Sequence, residues 1–127
     1  MFVKKVKAVK LSDVEAVQPL QPGCYERWIF DKRTPTEGVA MVVATFAPQK
    51  CSGLHTHDVE ELFFMLKGGG RAIVGDKEYR LEPNLAIYAP PETPHNFINT
   101  EDEPLVLLAV LGGREFKTTT LQGTTQP

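Results

Sequence analysis

The sequence predicts an all-β domain of the sandwich or barrel class, and three observations carry that expectation. From residue 24 onward the chain falls into short runs that either alternate apolar with polar residues or are rich in Val, Ile, Phe and Thr. Gly, Pro, Asn and Asp separate these runs, as they do between the strands of sandwiches and barrels. The length of 127 residues suits one domain, able to bury roughly two-thirds of its unfolded surface without disulfide staples.

Taken in order, residues 3–11 alternate Val with Lys and read as a solvated edge strand. Ser12 and Glu15 match a capping box, so at most a short helical turn is expected near residues 12–17, ended by Pro19 and Pro22. Strands are predicted at 25–30, 39–46, 54–57 and 62–66. Gly68, Gly69 and Gly70 then read as a turn closing a hairpin into 71–74. They lack the spacing and the following helix of a phosphate loop. Gly75 and Asp76 form a second turn before 78–81. Strands at 85–89, 95–99 and 105–111 complete the set. Residues 1–117 are expected to form one barrel domain, and residues 118–127, rich in Thr and Gln, a polar and mobile tail.

A net charge of −2 and a pI near 5.9 argue against nucleic acid as the main partner. Lys4, Lys5, Lys7 and Lys10 are read as a solvated strand face rather than a phosphate site. No apolar run is long enough for a membrane span, and the N-terminus lacks a signal-peptide core. Two cysteines, Cys24 and Cys51, fit a reducing cytoplasm and buried small hydrophobes rather than a disulfide framework.

The chemistry is concentrated between His55 and Gly68. On a strand, His55 and His57 point the same way with Cα atoms about 6.6 Å apart, close enough for two imidazoles to converge on one ion. Glu61 lies in phase with both if the chain turns into the next strand. The third and last histidine, His95, follows a turn stiffened by Pro90, Pro91 and Pro94, on a strand that puts it on one face with Phe97 and Asn99. Three imidazoles and a carboxylate suit one divalent transition ion, whether Fe, Mn, Ni, Cu or Zn, and leave room for water or substrate. Cys51 would lie about 13 Å along the strand from His55, too far to join. Glu60 has the wrong parity and is expected to face solvent or form an ion pair.

These residues make the chain resemble a small single-domain cupin. That family's first motif runs from a glycine through a His-x-His pair and a glutamate to a closing glycine. His55, His57, Glu61 and Gly68 take its last four places. The second motif contains a proline, a histidine and an asparagine at spacings that Pro90, His95 and Asn99 match. The resemblance implies a jelly-roll barrel, or double-stranded β-helix, with the ion inside, and a homodimer. Three glycines of the pattern are replaced, by Gln49, Asn84 and Glu92. Asn tolerates positive φ moderately well, whereas Glu does not, so the turn at Glu92 is expected to differ in shape.

An inward Glu61 puts Phe63 and Met65 inward too, and with Phe97 they would wall a small-molecule pocket. Tyr25, Arg27 and Ile29 alternate with Glu26, Trp28 and Phe30, so one of these sets lines the lumen. Arg27 or Tyr25 is the candidate for orienting a substrate oxygen. The leading functional expectation is a metal-dependent enzyme of dioxygenase, decarboxylase, isomerase, lyase or cyclase type. Its substrate would be a small aromatic or unsaturated carbonyl or carboxylate, with Glu61 available as a base as well as a ligand. The alternative is a non-catalytic binding or sensor barrel.

Overall fold

A computed structural model of the chain describes residues 5–18 and 21–121. Its strands are β1 (Ala16–Val17), β2 (Cys24–Phe30), β3 (Ala40–Phe46), β4 (His55–His57), β5 (Glu61–Lys67) and β6 (Gly70–Val74). They continue with β7 (Lys77–Leu81), β8 (Ala86–Ala89), β9 (His95–Ile98), β10 (Leu105–Leu111) and β11 (Thr118–Thr120). Two antiparallel sheets result, in the orders β1-β2-β3-β10-β5-β8 and β11-β4-β9-β6-β7. This is an all-β jelly roll: the alternation predicts an all-β sandwich or barrel, and the family resemblance implies the jelly roll. No helix among the described residues is long and apolar enough to cross a membrane.

Register decides what faces inward. Residues directly opposite on neighbouring strands share a face, and side chains alternate along each strand. Glu26, Ala44, Leu107 and Met65 therefore form one inward row, and Trp28, Val42, Ala109 and Phe63 the next. On β5 and β10 every second residue is buried while its neighbours are not. The second sheet contributes Ala72, Val74, Leu81 and Phe97 to the same core.

Four expectations need correction. Residues 5–10 form no strand: Val6 is 93 % exposed, and the alternation finds neither a partner edge nor an apolar face to cover. Lys7 donates instead to the carbonyl of Pro35, and residues 1–4 lie outside the described residues. The helical turn is a 3₁₀ turn at Leu11–Asp13 without a side-chain cap, so Ser12 sits inside it and no capping box forms. The glycine run does not close a hairpin, because β5 and β6 belong to different sheets. It carries the chain across the barrel against the β9–β10 connection, where a Cβ on Gly70 (φ 143°) would lie 2.1 Å from the Ile98 carbonyl oxygen. Finally, Thr118–Thr120 form β11 on the edge of β4. Three consecutive β-branched residues favour a strand despite their polarity. The rest of the expected tail, residues 122–127, lies outside the described residues.

The three replaced glycines keep the glycine conformation. Gln49, Asn84 and Glu92 have φ of 64°, 73° and 61°. Such a φ costs a residue with a Cβ about 1 kcal/mol, and local bonds offset it. Gln49 Nε2 donates to the carbonyls of Thr100 and Glu101. The Glu92 N–H donates to the His57 carbonyl at 2.7 Å. Glu92 thus takes a positive φ despite its side chain, and its backbone bond to β4 ties the turn down.

Asn99 locks the far end of β9, next to the Gln49 turn. It is fully buried, and its Nδ2 donates to the carbonyls of Phe46, Ala47 and Glu103 while Oδ1 accepts from the Glu101 N–H. Asn99→Ala should orphan several of these groups and destabilise the fold by about 3 kcal/mol, read from denaturant midpoints. A loss below about 1 kcal/mol would show that water replaces the amide.

Candidate metal centre

β4 and β9 bring the histidines together. His55 pairs directly with His95 across the two strands, and His57 stands two residues along on the same face. The imidazole centroids lie 4.2 to 5.3 Å apart, and one ligand atom from each ring falls within 4.8 Å of the others. Glu61 reaches over from the facing sheet. Its Oε1 is 3.5 Å from His57 Nε2 and 3.4 Å from His95 Nε2. The three histidines expected from the sequence therefore form one group of ligand atoms, and the Glu61 carboxyl lies beside two of them.

Hydrogen bonds on the far side of each ring set its orientation. His55 Nδ1 lies 2.8 Å from the Gly53 carbonyl and His95 Nδ1 2.9 Å from the Thr93 carbonyl. A carbonyl only accepts, so Nδ1 carries the proton and Nε2 presents its lone pair to the centre. His57 Nδ1 lies 2.9 Å from Thr118 Oγ1 on β11, a hydroxyl able to accept from an Nδ1–H and leave Nε2 toward the centre. Burial, reinforced for two of the rings by the neighbouring His55, lowers all three pKa values, to about 4 for His57 and about 3 for His95. Neutral rings are what a metal requires.

Glu61 supplies the test of fit. Its Oε1 is the one buried side-chain oxygen or nitrogen among the described residues without a hydrogen-bond partner. Burial, and then the charge of Glu26, push its pKa up to about 8. An orphaned carboxyl oxygen facing imidazole lone pairs is costly unless a cation binds them together. The donor set thus fits a divalent transition ion. Because Thr118 fixes the orientation of His57, Thr118→Val should weaken zinc binding about 10–100-fold with little change in fold. Unchanged zinc affinity in a competition titration would reduce β11 to a packing role.

The centre opens into a cavity of about 370 Å³. Phe63 and Phe97 line it, as the sequence predicts. Met65 is fully buried but belongs to the packed interior rather than the cavity wall. Tyr25 and Arg27 do not line it either. Their partners across the ladder are Thr45 and Val43, which share the outer face, and Tyr25 is 42 % exposed. The alternate set is inward, so Glu26 and Trp28 form that wall. Alternation left the two sets equivalent; the buried run at 40–46 on the neighbouring strand decides between them. Phe116, Thr118 and Thr120 also line the cavity and had no signal in the sequence. Phe116 stands edge-on to His57 and packs on Trp28, at 5.3 and 5.5 Å. Glu60 is outward as expected, accepting from the Tyr88 hydroxyl at 2.9 Å.

Comparison with known proteins places this geometry. Residues 42–111 match the family model described as "Cupin domain". Among curated proteins, the transcriptional activator RhaS of Mannheimia succiniciproducens is 31 % identical over 71 residues, which are 56 % of this chain and 26 % of that protein. The chain thus spans about a quarter of that relative's length. Among solved structures, the polyketide cyclase RemF from Streptomyces resistomycificus superposes with a TM-score of 0.80 at 20 % identity, covering 92 % of this chain and 86 % of the other. Oxalate decarboxylase from Bacillus subtilis gives 0.77 at 21 % identity, covering 87 % of this chain and 30 % of the other. Both likenesses speak to the fold.

Proposed function

Because the chain belongs to the cupin domain family, we propose that it is a metal-dependent enzyme acting on a small aromatic or unsaturated carbonyl compound. The observation that carries this reading is that His55, His57 and His95 converge, with Glu61 beside them, on the wall of an otherwise largely apolar cavity. A divalent ion held there supplies Lewis acidity toward a substrate oxygen. Phe63, Phe97 and Trp28 offer flat apolar surfaces that suit an unsaturated ring and exclude water. Ser52, Thr118 and Thr120 provide the neutral polar groups on the wall. Glu61 can serve as a base as well as a ligand. The name of the polyketide cyclase supports the same substrate class, since its barrel and this one correspond over nearly the whole of both chains.

Metal analysis of protein purified without added metals, followed by oxygen-uptake and ultraviolet assays on aromatic dicarbonyls, tests the proposal. Stoichiometric metal with turnover is expected; protein that takes up no ion overturns it. The match to RhaS favours a second reading, a ligand-binding barrel without turnover. Saturable binding of such a compound with no change in it would support that instead.

A homodimer is part of the proposal. Leu62, Phe64, Leu66 and Tyr88 stand 38 to 54 % exposed on the outer face of β5 and β8, next to Leu108 and Val110. Leu62→Lys with Phe64→Lys should convert a dimer to a monomer in sedimentation, and an unchanged mass would place the interface elsewhere. Cys24 and Cys51 are buried and not joined in a disulfide, which fits a reducing, cytoplasmic setting.

A further inference from the structure

Glu26 has no place among the metal ligands, yet it and Glu61 are the two carboxylates on the cavity wall. Its inward direction follows from pairing with Ala44 on β3. Trp28, two residues along on the same face, donates its Nε1–H to Glu26 Oε1 at 3.1 Å. No described residue bonds the other oxygen, and no lysine or arginine lines the cavity. The titratable groups around it are Cys24, Glu61 and the three histidines, and Lys50 acts by its charge on Cys24, as Glu26 does.

A carboxylate on an apolar wall with one fixed and one open oxygen is arranged for proton transfer rather than for an ion pair. Burial raises the Glu26 pKa above the usual carboxylate range, against the lowering effect of the Trp28 bond. Its charge in turn raises that of Glu61, so the two groups sense each other across the cavity. Two carboxyls with divided roles, one a ligand and one open to the cavity, are the pattern expected of acid–base chemistry.

We propose that Glu26 is the general acid–base of this cavity, exchanging protons with an enolisable carbonyl substrate whose oxygen lies toward His55, His57, His95 and Glu61. The inference rests on the metal-centre reading above. In the forward step the C–H bond beside the carbonyl breaks and its electron pair moves into the enolate. The proton forms an O–H bond with the free oxygen of Glu26. Return of that proton to a conjugated carbon completes an isomerisation. Its replacement on the carboxyl by a solvent deuteron, before delivery to the original carbon, completes an exchange. Neither requires an oxidant. Trp28 is a positioning residue, holding one carboxyl oxygen so that the other faces the substrate.

Acetophenone in heavy water is the probe, with zinc-loaded protein and loss of the methyl signal followed by proton NMR. Wild type should accelerate exchange, and Glu26→Gln should slow it about 10²–10⁴-fold with zinc content unchanged. A second readout is independent of turnover. Trp28 is the sole tryptophan, so its fluorescence in zinc-loaded protein should titrate with Glu26 at a pH above 4.5. That transition should vanish in Glu26→Gln and return in Glu26→Asp. Wild-type exchange in the glutamine variant, no exchange in zinc-loaded wild type, or a persisting Trp28 transition overturns the role of Glu26. Failure of wild type to bind zinc removes instead the metal-centre reading, and this inference with it.

Discussion

His95→Ala is expected to purify without stoichiometric metal and to show no thermal shift on adding zinc, where wild type shows one. His95 faces both His55 across the ladder and Glu61 across the barrel, so its loss breaks the ligand set at its middle. Removing even an outer-shell partner costs 10–100-fold in affinity, so losing a ligand should cost more than 100-fold. At 100 times its Kd an ion stabilises the fold by about 2.7 kcal/mol, and this stabilisation is what the variant should lack. Acid should mimic the substitution. The buried rings have pKa values lowered from 6.5, to about 4 and about 3 for His57 and His95, so below pH 6.5 the unfolded chain binds more protons than the folded one. Stability of metal-free protein should therefore fall as pH drops from 6.5 toward 3, and His95→Ala should flatten that fall. Full metal occupancy in the variant would refute the ligand assignment.

Glu61→Leu should act with opposite signs in the two forms of the protein. With its pKa raised from 4.5 to about 8, folded Glu61 holds a proton that the unfolded chain has already released. The folded state thus binds more protons between those values, and its stability falls as pH rises through that window. By pH 9 the metal-free wild type should have lost roughly 5 kcal/mol, since each tenfold change in proton affinity is worth about 1.36 kcal/mol. The leucine variant has no such carboxyl and should be the more stable metal-free protein at pH 9, measured by urea unfolding. In the presence of zinc the order should reverse, since the variant lacks the carboxylate ligand. A leucine variant that is weaker than wild type in both forms would mean that Glu61 has a structural partner in solution.

The parts of the fold that were legible in the sequence are those where neighbouring residues must differ. β5 and β10 alternate because one face meets the core and the other meets solvent. The histidine group that could hold a metal was legible for another reason, since His55 and His57 lie close in sequence and His95 is the only other histidine. What escaped were relations between distant segments. Whether Arg27 or Trp28 faces the lumen depends on a register set by β3. The glycines at 68–70 suit a hairpin as well as a crossover, and only the positions of Pro104 and Ile98 distinguish the two. Thr118 reads as tail by composition, yet it bonds to His57, 61 positions away.

That last contact bears on the order in which the molecule is made. β11 follows every other described strand in the chain, so it leaves the ribosome after them. Until it docks on β4, the Nδ1 of His57 lacks its threonine partner and one edge of the second sheet is open. A nascent chain stalled before residue 118 would hold all three histidines and Glu61, but not the strand that orients His57. Tight metal capture should thus coincide with completion of the barrel wall, making ion loading a late step in biogenesis rather than a nucleus for folding.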